Sequence, residues 1–242
     1  GIDELKQAVI DKFKKDNNLS YEKKNISVAP GGKSIIYNAI LSTINPGDEV
    51  IVPAPFWVSY PDIVKLAGGN PVIIRTSSEN NFKISANQLE KSITDKTKWL
   101  FINSPSNPTG QVYSKSELTE IIKVLKKHKN VYVLSDDIYE YIRYKNHDKF
   151  YTIAELDEEI FSRTITMNGV SKAYSMTGWR IGYCGGPVEI INAMRKLMGQ
   201  STSNPSSISQ WAAVEALNGS RDFLLNWIPS FKERRDYIVD YL

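Results

Sequence analysis

The apolar residues of this chain switch repeatedly between helical spacing and short continuous runs. Near the N-terminus, Leu5, Val9 and Phe13 recur at the spacing of one helix face. Ser114 with Glu117 three positions on forms a capping-box pattern that opens another helix. Helices are predicted over residues 31–44, 56–66, 86–93, 114–127 and most of the chain from 188 onward. Short apolar strands are predicted over residues 25–29, 49–52, 72–75, 99–103, 131–134, 164–167 and 180–183.

Strands that alternate with helices predict parallel βαβ units. The strands are apolar throughout, as expected when helices cover both faces of a sheet. We therefore predict an α/β protein with a three-layer α/β/α arrangement and a mostly parallel sheet. The sequence shows no internal repeat and no linker, so residues 1–242 are predicted to form one domain. Ligands of such sheets bind beyond the carboxyl ends of the strands, which directs attention to the residues there.

The amino-acid composition argues against several classes of function. The chain is 41% hydrophobic and 24% charged, with a formal net charge of +3, and it has no basic stripe that would favour nucleic acid. Cys184 is its one cysteine, which excludes an intrachain disulfide and is typical of the cytoplasm. His128 and His147 lack the spacing of metal ligands, so no metal site is expected. No apolar run has membrane-spanning length, and no membrane partner is expected.

Glycines open the helix that follows the first predicted strand. Gly31 and Gly32 expose backbone N–H groups at a helix N-terminus, where a phosphate can bind. A plain glycine-rich turn explains the same residues equally well. The neighbouring Lys33 and Ser34 give a partial match to a P-loop, but Ser27 stands where that motif requires its first glycine.

Polar residues also follow two central strands. Asn107 precedes a proline, which favours an extended backbone and a rigid turn that presents the amide, although an ordinary Asn-Pro turn is the alternative. Asp136 ends an apolar run, so we expect it to be buried and to need a partner. Asp137 is expected to be an exposed loop carboxylate. A further loop, rich in Gly, Ser and Thr, places Lys172 after one strand and Arg180 before the next.

The segment from Gly169 to Gly182 resembles the lysine signature of class I aminotransferases: a turn of small residues, a lysine, and an arginine eight positions later. The other three places follow in the order typical of that family. The chain resembles the aspartate aminotransferase group, in particular its bacterial subgroup that also accepts prephenate, over essentially its whole length. The resemblance implies the large domain of that fold, bound pyridoxal 5′-phosphate (PLP), a homodimer, and transamination of aspartate with 2-oxoglutarate.

The resemblance assigns roles around the cofactor ring. Lys172 would carry PLP as a Schiff base and then act as the catalytic base. Asp136 would pair with the pyridine N–H and keep it protonated. Asn107 and Tyr139 would hydrogen-bond the phenolic oxygen. Trp57 would stack on the ring, although ordinary core packing would also account for a tryptophan there.

Other roles concern the phosphate and the substrate. Arg180 would bind the phosphate, together with backbone donors of Gly31 and Gly32. Lys33 would lie beside the cofactor and reach the distal carboxylate of an acidic substrate, although a lysine on a helix surface is the alternative. Trp57 and Asn107 would also contact the substrate. The resemblance further implies cis peptide bonds at Ala54–Pro55 and Asn107–Pro108.

The chain departs from the family pattern at both ends. It lacks the N-terminal segment that closes over the substrate and the C-terminal small domain that binds the substrate α-carboxylate. Residues 220–242 resemble the connector helix that leads into that small domain. We therefore expect little activity from this chain alone. The alternatives are an aromatic or alanine aminotransferase, a lyase of the same fold, a cofactor-binding fragment without turnover, and a nucleotide-binding P-loop protein.

Overall fold

The structure is a computed structural model that describes residues 1–144 and 149–242; His147 lies outside the described residues. The strands are β1 (Ile26–Ala29), β2 (Glu49–Ala54), β3 (Asn70–Arg75), β4 (Thr97–Asn103), β5 (Tyr132–Asp136), β6 (Thr164–Gly169) and β7 (Gly182–Gly185). The α-helices are α1 (Asp3–Asn17), α2 (Gly32–Leu41), α3 (Ser59–Leu66), α4 (Ala86–Ser92), α5 (Lys115–Leu125), α6 (Glu158–Phe161), α7 (Val188–Gly199), α8 (Ser207–Asn218) and α9 (Leu224–Tyr241). Within the described residues, none of the helices combines the length and apolar character needed to cross a membrane.

The strands form one seven-stranded sheet in the order β1-β7-β6-β5-β4-β2-β3. The pairs from β6 through β5, β4 and β2 to β3 are parallel, whereas β7 runs antiparallel to both β6 and β1. The predicted mostly parallel α/β sheet is therefore confirmed. Its carboxyl edge collects the chain segments that leave β4, β5 and β6 at neighbouring positions.

Alternate residues of each strand face opposite layers of helices, as the period of a strand requires. On β4, Trp99 and Phe101 join a core with α2, α3 and α7. Leu100 and Ile102 point the other way, into a core with α4 and α5. A third apolar cluster joins α1 and α8 to the β1–β7 end of the sheet. Helices thus cover both faces, which explains why the strands are apolar throughout.

Local sequence signals fix several helix ends. Ser114 accepts a hydrogen bond from the backbone N–H of Glu117, whose side chain accepts in return from Ser114, so the predicted capping box is confirmed. Helix α3 begins at Ser59, three residues later than predicted, and leaves Phe56 and Trp57 in the preceding loop. The strand predicted over residues 180–183 lies two residues later in the structure, where β7 begins at Gly182.

Candidate functional site

The carboxyl edge of the sheet opens on a cavity of about 290 Å³. The site residues predicted from the sequence line this cavity, with the exception of Gly31. Gly31 lies against the side chain of Arg180, which is one of the lining residues. Segments far apart in the chain supply these residues: Gly32, Lys33, Trp57, Asn107, Asp136, Tyr139, Lys172 and Arg180. The cavity therefore combines ammonium, guanidinium, carboxylate, phenol and amide groups.

Asp136 is the buried carboxylate at the end of β5, as predicted, with 4% of its surface exposed. Burial raises the pKa of its carboxyl group to about 6, although hydrogen bonds and the charge of Lys172 oppose that shift. Its Oδ2 accepts from the Tyr60 hydroxyl at 2.6 Å, and its Oδ1 accepts from the backbone N–H of Ile138 at 3.3 Å. A positively charged ligand beside this carboxylate would stabilise its ionised form.

Asp137 was predicted to be exposed, and that prediction is wrong. Only 1% of its surface is exposed, and the Ser135 hydroxyl donates to its Oδ1 at 2.7 Å. Its backbone N–H donates to the carbonyl of Met167 in β6, which carries the side chain into the interior rather than into a loop. Burial raises the pKa of Asp137 from 3.8 to about 7.

Asn103 positions the turn that presents Asn107. The Asn103 amide donates to the carbonyl of Asp136 at 2.9 Å, and its Oδ1 accepts from the backbone N–H of Asn107 at 2.7 Å. The predicted cis peptide bonds Ala54–Pro55 and Asn107–Pro108 are confirmed, and a third cis bond precedes Pro105. The Asn107 side chain lies beside Tyr139 and acts to lower the pKa of its phenol. Asn103 therefore joins the ends of β4 and β5 at the floor of the cavity.

Tyr139 and Lys172 face each other across the cavity. The Lys172 Nζ lies 5.8 Å from the centre of the Tyr139 ring, and the Lys172 side chain is exposed to the cavity. Burial and the charge of Asp136 raise the pKa of Tyr139 above its usual value of 10. The phenol therefore remains a hydrogen-bond donor at neutral pH.

Arg180 lies against the N-terminus of α2. Gly31 precedes that helix with φ of +90°, and a Cβ placed there would lie 2.3 Å from Nη2 of Arg180. Arg180 itself has φ of +53°, a left-handed conformation that is costly for a residue with a Cβ. Its Nη1 donates to the carbonyl of Thr177 at 2.9 Å. Gly182 completes the contact, because a Cβ there would lie 2.4 Å from the backbone of Gly31.

Aromatic rings form one wall of the cavity. The Trp57 ring packs edge-on against Tyr60 at 5.4 Å, and Tyr60 packs against Phe101 in the core at 5.2 Å. The Lys33 Nζ lies over the Trp57 ring at 5.0 Å. Lys33 therefore points along the cavity wall with an exposed side chain, as a ligand-binding lysine would.

The sequence reasoning missed Tyr60 and Asn103. Tyr60 lies three positions after Trp57, so both belong to one side of the same turn, and this spacing was the available signal. A buried tyrosine is otherwise indistinguishable from core in the sequence. Asn103 ends an apolar strand at the edge where ligands bind, in the same relation to its strand as Asp136, and could have been found by that rule.

The model of the family described as "Aminotransferase class I and II" matches residues 1–242. The chain is 52% identical, over its full length, to the aspartate/prephenate aminotransferase of Cereibacter sphaeroides. It is 54% identical, again over its full length, to the probable aspartate/prephenate aminotransferase of Rickettsia conorii. In both comparisons the chain spans 60% of the length of the relative.

The chain is also similar to solved structures of aminotransferases. The aspartate aminotransferase of Rhizobium meliloti superposes with a TM-score of 0.97 at 49% identity, covering 99% of this chain and 60% of that one. An aromatic aminotransferase of Pyrococcus horikoshii superposes with a TM-score of 0.93 at 38% identity, covering 98% of this chain and 64% of that one.

Proposed function

The chain belongs to the class I and II aminotransferase family, and on that premise we propose that it is the cofactor-binding part of an aspartate/prephenate aminotransferase. Enzymes of this family depend on PLP. The observation that carries the proposal is the convergence of Lys172, Asp136 and Arg180 on one cavity. Asp136 and the loop that carries Lys172 and Arg180 come from separate parts of the chain, and the three side chains match the three polar ends of the cofactor.

The residues around the cavity fit PLP. The volume of the cavity, about 290 Å³, is close to the lower limit of about 300 Å³ for small-molecule sites. The buried carboxylate of Asp136 suits a protonated ring nitrogen. Gly31 lies so close to Arg180 that a side chain at position 31 would not fit. The backbone N–H groups at the start of α2 and the Arg180 guanidinium would therefore hold the phosphate together.

Each residue has a proposed task. When bound, PLP supplies a conjugated ring that accepts the electrons released at the substrate α-carbon. Lys172 would hold the cofactor covalently and, once displaced by the substrate amine, use its Nζ to move the α-proton. Asp136 would keep the ring nitrogen protonated. Asn107 and Tyr139 would donate hydrogen bonds to the phenolic oxygen.

The remaining residues would orient ring and substrate. Arg180 with Gly31 and Gly32 would bind the phosphate, and Trp57 would cover one face of the ring. Lys33 would bind a second carboxylate of the substrate, and Trp57 and Asn107 would contact the substrate as well. Aspartate and prephenate each carry such a carboxylate, in agreement with the names of the relatives.

An aromatic aminotransferase is the second candidate, because one is among the structural relatives at 38% identity. The position of Lys33 beside the Trp57 ring favours dicarboxylic substrates, because the Lys33 ammonium group can form an ion pair with the second carboxylate of such a substrate. Turnover of aspartate with 2-oxoglutarate or with prephenate as the amino acceptor, compared with turnover of phenylalanine with the same acceptors, separates the two candidates. Loss of aspartate turnover in Lys33→Met, with phenylalanine turnover kept, would support the assignment.

The cofactor assignment is tested by reduction. The intact protein is incubated with PLP, reduced with borohydride and digested for peptide mapping. We expect an absorption band in the visible and a label on Lys172 that is absent from Lys172→Ala. A label spread over exposed lysines, with no band, would refute the proposal.

We further propose that the protein is a cytoplasmic homodimer that binds neither nucleic acid nor membrane. Val58 and Trp179 adjoin the site residues Trp57 and Arg180 in sequence and are 72% and 43% exposed, which suits a partner subunit. Cys184, the only cysteine, is buried and free. Light scattering of the intact protein at the mass of one chain would contradict the dimer.

A further inference from the structure

A cluster of buried polar side chains lies behind the cavity wall, between α1 and the ends of β5 and β6. Its members are each at most 4% exposed: Lys12, Asn17, Glu140 and Asn168. None of them lines the cavity. We call this set the α1 clamp.

Glu140 is the centre of the α1 clamp. Its carboxylate forms an ion pair with the Lys12 ammonium and accepts hydrogen bonds from the side-chain amides of Asn17 and Asn168, each at 2.8 Å. The Lys12 Nζ also donates to Oδ1 of Asn17 at 2.6 Å. Both charges are thus neutralised within the cluster, and both oxygens of the carboxylate have partners.

Asn168 connects the α1 clamp to two separate chain segments. Its amide nitrogen donates to Glu140 and also to the carbonyl of Asp137 at 3.1 Å. Its Oδ1 accepts from the backbone N–H of Gly169 at 2.7 Å. This side chain therefore links the segment after β5 to the end of β6, in addition to the backbone hydrogen bond from Asp137 to Met167.

These two segments carry residues that face each other across the cavity. Glu140 directly follows Tyr139, and Asn168 lies four positions before Lys172. We propose that Lys12, Glu140 and Asn168 are positioning residues that set the placement of Tyr139 relative to Lys172. The proposal rests on the proposed function, because it takes the Lys172–cofactor linkage as the group that Tyr139 tunes.

The energetics support a positioning role over a purely stabilising one. A buried ion pair loses so much solvation that apolar residues of the same volume often stabilise a fold as well or better. The geometry of such a pair, in contrast, is fixed by its charge-assisted hydrogen bonds. A displacement of about 1 Å at a reacting group can lower a rate by about a hundredfold.

A second contact from α1 acts on the same region. Asp16, one helical turn after Lys12, accepts hydrogen bonds from the Tyr141 hydroxyl and from both terminal nitrogens of Arg221. Tyr141 packs edge-on against Tyr174, which follows Lys172 by two positions, with ring centres 6.5 Å apart. Helix α1 is therefore linked indirectly, through Glu140 and through Tyr141, to residues before and after Lys172.

The test uses two variants of the intact protein that leave no lone buried charge. Asn168→Ala cuts the connection and keeps the ion pair, and Lys12→Met/Glu140→Gln removes both charges together. Lys15→Met, at an exposed position of the same helix, is the matched control. The readouts are the pKa of the Lys172–cofactor absorption band, kcat and KM for aspartate, and thermal stability.

We expect both variants to raise the pKa of the absorption band by about half a pH unit or more, because a displaced Tyr139 no longer stabilises the phenolic oxygen. We expect kcat to fall about tenfold with KM within about twofold, because positioning acts on the reacting groups. The control should match the wild type in every readout.

Variants that melt at a lower temperature but keep the wild-type band pKa and kcat would overturn the proposal, since the α1 clamp would then be structural only. An equal shift in Lys15→Met would overturn it as well. If the wild type itself carries no cofactor on Lys172, the proposed function fails and the positioning proposal fails with it. A labelled wild type with unchanged variants refutes positioning alone.

Discussion

Removing one hydroxyl group from the Tyr60 side chain should change the charge state of Asp136. The Tyr60 hydroxyl is buried and donates to Asp136 at 2.6 Å, and the only other donor to this carboxylate within the described residues is the backbone of Ile138 at 3.3 Å. A hydrogen bond to a charged group contributes about 1.5–3 kcal/mol, and one pKa unit corresponds to about 1.4 kcal/mol. Tyr60→Phe should therefore raise the pKa of Asp136 from about 6 to about 7–8.

The consequence appears in cofactor binding, because only the ionised carboxylate can pair with a protonated ring nitrogen. At pH 6.5 the ionised fraction of Asp136 should fall from about three quarters to between about one quarter and about 3%. The affinity for PLP at that pH should weaken by about threefold to about 25-fold, and the loss should vanish above about pH 9.

Titration of the intact apoenzyme with PLP between pH 5.5 and about pH 9 measures this shift. Tyr113→Phe is the control, because Tyr113 is also buried and its hydroxyl accepts a hydrogen bond, from the backbone N–H of Ile84 at 3.0 Å, in a different core. An affinity profile in Tyr60→Phe that overlays the wild type would show that the hydrogen bond does not set the charge of Asp136.

Other residues give predictions of stability and binding. Lys12→Met leaves the buried carboxylate of Glu140 without its cation and should cost about 3–5 kcal/mol in the free energy of unfolding, measured by denaturant titration. The pKa of Asp137 is raised from 3.8 to about 7, so the folded state holds a proton that the unfolded state releases, and this group makes the protein less stable as pH rises through that window. Asp137→Asn should therefore flatten the decline in melting temperature between those pH values. Gly31→Ala should weaken PLP binding about tenfold or more, because φ is +90° and the new Cβ would displace Arg180.

Each of these expectations has a contrary outcome. An unfolding free energy for Lys12→Met within about 0.5 kcal/mol of the wild type would show that the ion pair contributes no net stability. A pH profile for Asp137→Asn parallel to that of the wild type would show that this carboxyl titrates at its ordinary pKa. Wild-type PLP affinity in Gly31→Ala would remove the contact with Arg180 from the account of phosphate binding.

Periodicity and turn residues predicted most of the architecture. The start of α5 followed from its capping box, and the strands of the central sheet followed from apolar runs that need helices on both faces. Strand β7 was harder to place because it contains glycine at both ends and only Tyr183 and Cys184 between them. Its glycines allow close packing and do not favour a strand: a Cβ at Gly185 would lie 2.3 Å from the Tyr21 ring.

The site was predictable wherever a residue follows a strand or matches a family pattern, and was missed where a side chain acts through another. Tyr60 belongs to this second group. So does Lys12, although its position carried a signal: it shares the buried face of α1 with Leu5, Val9 and Phe13. A charged residue on an apolar helix face needs a buried partner, but the sequence does not reveal which carboxylate supplies it.

The reversed direction of β7 has a consequence for how the site assembles during folding. Because β6 and β7 are antiparallel, the chain leaves one strand and enters the next at the same edge of the sheet, so Lys172 and Arg180 belong to a single loop, residues 170–181. The entropy cost of closing a loop grows with its length, so this direct connection costs less to close than contacts between segments that lie farther apart in the chain. We therefore expect Lys172 and Arg180, the proposed covalent and phosphate anchors, to become ordered in one local event, whereas Asp136 and the start of α2 reach them only through long-range sheet pairing.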